Sequence, residues 1–471
     1  MKINLVGQTD PARSHVISAN RLVNMYAQRE TADAKEPASL IRCPGLKEVF
    51  HSSFANVEAR GAWSASNGSS FVVLGNKLCR VNNGGIISQW TLDSSIGPVS
   101  MRDNGLQLIL VDGTSGYILT LSNDTFAKIT DSDFPNGART VAYIDTYFIV
   151  GMPNTQQFFI SNQMDGTAWD ALDFFAAEGS PDFLKALTEN HRELWLFGAR
   201  TTEVWASTTD ADFPFQRMSF VEQGIAAWAS IAKMDNSLFW LGANENGAGV
   251  VYRANGYTPQ RISTPAIEWE ISNYSRIDDA VAFAYSMEGH SFYVLNFPTA
   301  NKTRVYDAAT GLWHERAYSQ NGEYSRWRAN CHLMIGNDHY VGDYTNGKVY
   351  LLSSSIYDDD GQEMLCMRSV RVKGNEMKPI SFSKLVLDVN LGDGLPTGQG
   401  SDPKANLRIS DDGGRSFHTN REITLGKKGN YTARAEAWGL GQSRDRVFEI
   451  TVSDPVEFVI VGAYVEAKAN G

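Results

Sequence analysis

Cysteine is scarce in this chain and follows no recognisable spacing. Four cysteines, Cys43, Cys79, Cys331 and Cys366, are spread over 471 residues. Their spacing fits no CxxC or zinc pattern, and four are too few for a disulfide framework. We therefore expect reduced, mostly buried thiols and a protein made in a cytoplasm.

Long apolar runs are also missing. The longest run near the C-terminal end, residues 458–465, has eight residues, whereas about 20 are needed to cross a bilayer. The first residues, MKINLVGQTDPARSH, contain no apolar signal-peptide core. The sequence therefore predicts no membrane insertion.

No run of lysine or arginine forms a basic patch, and the formal net charge is -11. Tight sequence-independent DNA binding requires clustered cations that face the phosphates. The composition therefore argues against a protein that grips DNA. An acidic protein can still line a DNA path, because repulsion keeps the polyanion sliding.

Motifs of common enzymes are absent. We find no GxxxxGK[ST], HExxH or GxSxG, and no GxGxxG that follows a strand. His332 and His339 lack an acidic pattern that would complete a metal site. Adjacent acids at Asp278-Asp279 and at 358–360 are typical of solvated turns, with loose calcium binding at 358–360 left open. We expect no catalytic, cofactor-binding or metal-ligating residues, no cofactor and no enzymatic activity.

Two segments leave a sugar- or base-binding role open. SDDGGRSF, from Ser410, resembles the Asp-box turn of sialidase-like propellers, in which Asp412 accepts backbone hydrogen bonds and Gly414 supplies a permissive backbone. EYSRWRANCH, from Glu323, could stack bases or sugars, but its alternation is also that of a half-exposed strand. We interpret the first as a structural turn and the second as an ordinary strand.

What the sequence does contain is a repeated hairpin. Short apolar runs enter a polar turn and leave it as a second alternating run, with starts at Phe71, Leu108, Tyr147, Leu194, Leu238, Ser291 and His339. These starts are 37 to 53 residues apart. Helix-free repeats of about 40 to 50 residues are typical of four-stranded propeller blades. The alternative is a pair of β-sandwiches with coincidental spacing.

The sequence pattern changes at both ends of the repeated region. Residues 1–58 lack the blade pattern and predict an N-terminal arm that covers the propeller or a neighbouring subunit. Residues 59–353 predict an all-β propeller of six or seven blades. Residues 354–471 carry longer alternating strands after an acidic loop and predict a C-terminal β domain of the sandwich type.

Several segments in order resemble one known family. They are RLVNMYAQ from Arg21, IRCPGLKEV from Ile41, FGARTTEVWA from Phe197, GIAAWASIA from Gly224, RVYDAATGLWHE from Arg304, LRISDDGGRSF from Leu407 and the stretch 444–466. Together they are similar to the phage stabilisation proteins, the packaged-DNA stabilisation or tail hub/nozzle proteins of short-tailed bacteriophages. The similarity runs from about residue 20 to about residue 467.

The resemblance implies a structural protein of the virion tail, synthesised in the host cytoplasm. Such proteins form a hexameric ring below the portal and its adaptor ring, and they contact the tail needle and the tailspikes or fibres. They retain packaged DNA and later form the conduit for genome ejection, with double-stranded DNA passing through without tight binding. The alternative from the residues is a glycan-active or glycan-binding β-propeller of the sialidase type.

Overall fold

A computed structural model describes residues 2–15, 17–31, 33–53, 56–208, 214–244, 246–372 and 378–469, without the side chain of residue 469. Seven antiparallel sheets of four main strands, called blades here, follow one another in this part of the chain. The strands of blade 1 are Ala59–Ser64, Ser70–Leu74, Lys77–Asn82 and Gly85–Thr91; of blade 2, Ser100–Asp103, Gln107–Val111, Gly116–Thr120 and Thr125–Lys128; of blade 3, Val141–Ile144, Tyr147–Gly151, Gln157–Asn162 and Asp165–Ala176; of blade 4, Leu184–Asn190, Glu193–Gly198, Thr202–Ser207 and Phe215–Val221.

The remaining blades carry small additions to this plan. Blade 5 has Gly224–Ile225, Ala232–Met234, Ser237–Asn244, Gly247–Asn255 and Thr258–Arg261; blade 6 has Val281–Met287, His290–Phe297, Lys302–Asp307, Leu312–Gln320 and Glu323–Arg326; blade 7 has Ala329–Ile335, Asp338–Asp343, Lys348–Ser353 and Gly45–His51. A 3₁₀ turn, Trp228–Ser230, precedes the second strand of blade 5.

The predicted hairpins form because each pairs an apolar run with a turn of suitable chemistry. In blade 2, the run 108–111 is buried along its whole length, as expected for a strand with sheets on both faces. The following turn is closed by Asp112, whose Oδ1 accepts the amides of Thr114 at 2.9 Å and Ser115 at 2.7 Å. Gly113 adopts the positive φ of 80° that this turn needs.

The blades close into a ring. Seven separate apolar clusters each join two successive blades, and one of them joins blade 7 to blade 1. That closing cluster packs Leu333 and Val349 of blade 7 with Val72 and Leu74 of blade 1. Each blade thus buries both faces against its neighbours, which is how a propeller protects its sheets.

The blade number, predicted as six or seven, is seven in the described residues. The last blade is completed by a strand from the N-terminal region: Gly45–His51 pairs antiparallel with Lys348–Ser353, with Leu46 opposite Leu352. The predicted N-terminal arm, 1–58, is therefore divided, because this strand belongs to blade 7 and the strands before it join the C-terminal sheets. The domain boundaries at 58/59 and 353/354 stay a prediction.

The second unit is a sandwich of two sheets. One sheet contains Met25–Arg29, Ala38–Arg42, Val459–Ala469, Ile380–Val389 and Glu436–Ser443, with Lys2–Ile3 added to Val459–Ala469; the other contains Arg21–Val23, Cys366–Val372, Arg446–Val452, Lys404–Ser410 and His418–Thr424. A single large apolar cluster lies between them. Strand Arg21–Val23 also pairs with blade 6 at Glu315, so propeller and sandwich share a continuous sheet.

One α-helix, Pro265–Ser272, connects blades 5 and 6 in the described chain. Thr264 caps it by accepting the amide of Ile267 at 3.3 Å, and Pro265 occupies the first turn, where its missing N–H costs nothing. Ile267 and Ile271 fix it to the blade 5–blade 6 core. No helix in the described ranges has the length and apolar character to cross a bilayer.

Candidate functional site

The centre of a propeller is the usual place for a binding or active site, and here charged side chains of the inner strands pair with one another. The inner strands surround a cavity of about 220 Å³, below the roughly 300–1,000 Å³ typical of ligand pockets. Glu189 of blade 4 accepts a hydrogen bond from Arg102 of blade 2 at 2.9 Å and also pairs with Lys233 of blade 5. Burial opposes ionisation of Glu189, but the two cations prevail and lower the pKa of its carboxyl.

The arginines near this channel do not form the cluster that a sialidase-like site would require. Arg60 is buried and donates to the carbonyl oxygens of Gly97 at 2.6 Å and Gly75 at 3.0 Å. Arg102 is paired with Glu189 and stacks 4.7 Å above the ring of Trp63. Both guanidinium groups therefore hold the propeller together.

The two histidines for which a metal site was considered, His332 and His339, lie beside each other. His332 Nε2 lies 2.9 Å from His339 Nδ1, and burial together with His339 lowers the pKa of His332 to about 3. Two imidazoles alone leave a zinc site incomplete. No cluster of three or more His, Cys, Asp or Glu side chains suited to a metal occurs in the described residues.

The acidic segment 358–360, left open as a loose calcium site, uses its carboxylates separately. Asp360 accepts the amide of Glu48 at 3.1 Å and the ammonium of Lys348 at 2.7 Å. Asp358 accepts the amide of Gly361 at 3.1 Å. Asp359 is buried, and burial raises the pKa of its carboxyl to about 6. Asp360 thus joins two strands of blade 7, and the three carboxylates do not form a metal-binding cluster among the described residues.

The Asp-box segment forms a turn between Lys404–Ser410 and His418–Thr424 in the sandwich. Asp412 Oδ1 accepts the amides of Arg415 at 2.9 Å and Ser416 at 3.0 Å, and Ser410 Oγ accepts the amide of Gly414 at 2.8 Å. The hydroxyl and amide of Ser416 lower the pKa of Asp412. The geometry is that of a closed turn, as the sequence indicated.

The arginines of the segment that begins at Glu323 stack on aromatic rings of the same chain. Arg326 lies 3.5 Å from the ring centroid of Tyr344, and Arg328 lies 4.1 Å from that of Tyr318. Trp327 is fully buried. These rings therefore face their own chain, and the base- or sugar-stacking interpretation loses its basis.

A larger cavity lies outside the propeller centre, and nothing in the sequence indicated it. A cleft of about 1180 Å³, called the Arg368 cleft here, opens between residues 2–15 and 17–20, strand Cys366–Val372 and helix Pro265–Ser272. Its charged lining residues are Lys2, Asp10, Arg13, Arg368 and Arg371. Four cations and one anion thus line a cleft in a chain whose net charge is -11.

Family models match the chain in two consecutive parts. The model described as "Bacteriophage P22 Gp10, beta-propeller" matches residues 2–357, and the one described as "Bacteriophage P22 Gp10, beta-sandwich" matches residues 368–468. The chain belongs to the bacteriophage P22 Gp10 family. It is a structural protein of a phage tail and a component of the virion, and the family favours a non-enzymatic role. The predicted family and the predicted propeller-plus-sandwich fold are confirmed.

No curated protein matches the chain. Among solved structures, the extracellular domain of the putative one component system BT4673 from B. thetaiotaomicron is 10% identical with a TM-score of 0.45; the match covers 83% of this chain and 48% of that one. The N-terminal domain of Nup159 is 11% identical with a TM-score of 0.39, covering 71% of this chain and 99% of that one. Both similarities are too low to carry an argument.

Proposed function

We propose that six copies of this Gp10-family protein form the tail nozzle of a short-tailed phage, which retains packaged DNA and later conducts it during ejection. The observation that carries the proposal is the small size of the propeller centre. The cavity at the centre is only about 220 Å³, and the Arg102–Glu189–Lys233 contacts join inner strands of blades 2, 4 and 5, which leaves no room for a duplex whose major groove alone is about 12 Å wide. In the proposed nozzle, DNA therefore runs between copies and not through a propeller.

The rigidity of the molecule supports a role as one segment of the wall of a ring. Seven inter-blade cores and a sheet shared with the sandwich make one stiff body. The net charge of -11 disfavours tight contact with phosphates, so DNA slides past. In this arrangement the ring sits below the portal and its adaptor ring and carries the tail needle and the tailspikes or fibres.

The proposal is tested on particles assembled without this protein. We expect such particles to leak DNA, which becomes sensitive to nuclease, and we expect added protein to restore protection. Electron cryomicroscopy of the restored tail is expected to show a six-fold ring around a central channel. DNA that stays protected without the protein, or a tail density without a six-fold ring, would contradict the proposal.

A further inference from the structure

The Arg368 cleft contains a buried cation without a counter-charge. Arg368 is 2% exposed, and its Nη1 makes only long hydrogen bonds, 3.3 Å to the carbonyl oxygen of Gln8 and 3.4 Å to that of Arg21. Its Nε has no hydrogen-bond partner among the described residues. Burial lowers the pKa of Arg368 to about 10. A buried guanidinium of this kind is expected to be paired with a carboxylate or another anion.

The rim of the same cleft adds charge and apolar surface. Arg13 is exposed and forms no ion pair in the part of the chain that the structure describes. Ile17 and Trp269, which also line the cleft, are 72% and 38% exposed. The N-terminus of helix Pro265–Ser272 faces the cleft and contributes a partial positive charge. The ligand that fits this lining has carboxylates interspersed with apolar side chains.

A segment with that chemistry lies on another side of the same protein. The outer strand of blade 3, Asp165–Ala176, contains a bulge between Trp169, opposite Ser161, and Phe174, opposite Phe159. Leu172 in this bulge is 81% exposed, and Phe175 is 44% exposed.

This bulge carries two acids, Asp170 and Asp173, and lies in an acidic part of the sequence. Residues 165–184 include five acidic side chains and no lysine or arginine. Burial and the neighbouring Asp170 raise the pKa of Asp173, so a nearby cation would relieve the repulsion between the two carboxylates.

We propose that the blade 3 bulge, residues 170–173, of one copy docks into the Arg368 cleft of the next copy. Asp170 and Asp173 supply carboxylates to Arg368 and Arg13, while Leu172 packs against Ile17 and Trp269. The two surfaces are different parts of one molecule, so the contact is head-to-tail and generates a closed ring when the rotation fits. This inference rests on the proposed nozzle function and names the contact that builds its ring.

Charge exchange tests the contact, with binding to DNA-filled particles that lack this protein as the measurement. We expect Arg13→Glu alone and Asp173→Arg alone each to reduce binding at least tenfold, and the double variant to recover most of it. Asp338→Arg, an exposed acid on blade 7, is the matched control and is expected to bind like the unmodified protein. Single variants that bind normally, or a double variant that recovers nothing, would overturn the contact.

Arg368 needs a test that separates binding from folding. Arg368→Met keeps the volume and removes a buried charge without a counter-charge. We expect this variant to unfold at the same or higher denaturant concentration and yet to bind particles at least tenfold more weakly. A variant that loses stability and binding together would indicate a purely structural arginine and would overturn its role in the cleft.

Cross-linking distinguishes a second copy of this protein from another virion protein as the occupant of the Arg368 cleft. With Ile17→Cys and Leu172→Cys in one chain, a short bis-maleimide applied to assembled particles is expected to give a ladder of linked copies, absent from either single-cysteine variant. A band joining Ile17→Cys to a different virion protein would overturn the second copy as occupant. If the protein binds particles and protects DNA but gives no ladder, the proposed contact between copies is wrong and the nozzle function is supported. If it neither binds particles nor protects DNA, the nozzle function itself is wrong.

Discussion

Glu315 accepts a hydrogen bond from Arg304 at 2.7 Å, and both side chains are almost completely buried. Arg21, from the strand that joins the sandwich to blade 6, donates to the other carboxylate oxygen at 2.8 Å. Although burial opposes ionisation, the two guanidinium groups hold the pKa of Glu315 far below its usual range. One carboxylate thus fixes the propeller to the sandwich.

Replacing Glu315 with glutamine is expected to destabilise the protein strongly. Removing the carboxylate leaves Arg21 without its acidic partner and Arg304 with Glu270 alone, and breaking a buried pair of this kind costs about 3 kcal/mol, the lower end of the usual range. Denaturant unfolding at neutral pH, followed by tryptophan fluorescence, measures the loss. Asp93→Asn, which breaks the solvent-exposed pair with Lys128, is the control and is expected to have a far smaller effect.

The same variant has a defined pH dependence. Because the folded-state pKa of Glu315 is lowered, the unfolded chain binds the proton more readily, and the contribution of Glu315 is complete above its ordinary pKa of about 4.3. That contribution is lost as the pH falls below this value. The difference in unfolding free energy between the unmodified protein and Glu315→Gln should therefore shrink in acid. A difference that grows in acid would contradict the assignment.

Asp359 should show the opposite dependence on pH. It is 3% exposed, and its carboxylate oxygens have no hydrogen-bond partner in the described structure. Its pKa is raised from 3.8 to about 6 by burial, so the folded protein holds the proton more tightly, and stability declines as the pH rises from about 4 to about 6. At about 1.4 kcal/mol per unit, the ionised carboxylate costs on the order of 3 kcal/mol.

Asp359→Asn should remove this cost. We expect the variant to match the unmodified protein near pH 4 and to be more stable at pH 7.5, as measured by urea unfolding at both values. Asp278→Asn is the control, since Asp278 pairs with Arg276 at the surface and its pKa is lowered. Equal stabilisation at both pH values would show that Asp359 is not the titrating group.

Local features of the fold were predictable because their determinants are close in sequence. The hairpin at 108–120 follows from an apolar run and an Asx turn within a dozen residues, and the Asp412 turn from contacts within six. The closing of blade 7 was not predictable in this way. Gly45–His51 pairs with a strand about 300 residues later, and alternation within a strand does not identify its partner.

The Arg368 cleft could not be found from the sequence for a related reason. Cys366–Val372 shows ordinary strand alternation, in which an arginine at position 368 is expected to face solvent. It is buried because Gly7 and its neighbours lie against the guanidinium: a Cβ at Gly7 would approach Arg368 Nη2 to 3.2 Å. Residues 2–15 and 17–20 carry little strand pattern, so nothing local indicates that they cover this arginine.

Gly45→Ala tests whether the N-terminal strand completes blade 7 in solution. A Cβ at Gly45 would lie 2.5 Å from the carbonyl oxygen of Ile356 and closer still to that of Asp358. Backbone atoms cannot rotate away, so the strand must shift, at a cost of about 1–3 kcal/mol. Thermal unfolding compares this variant with Gly84→Ala, where the Cβ meets only the side-chain oxygen of Asn82 at 3.3 Å. Equal melting temperatures would mean that the strand is not seated as described.

Asp412→Ala should open its turn without unfolding the sandwich. The carboxylate accepts the amides of Arg415 and Ser416 at 2.9 and 3.0 Å, and both residues are exposed, so the loss is confined to the hairpin tip. We expect hydrogen exchange at these two amides to accelerate at least tenfold, while exchange in Arg446–Val452 stays unchanged. Asp412→Asn retains one acceptor oxygen, and its exchange rates are expected to lie between those of the unmodified protein and of Asp412→Ala. Acceleration that spreads into Arg446–Val452 would show that the turn supports the whole sheet and is more than a local closure.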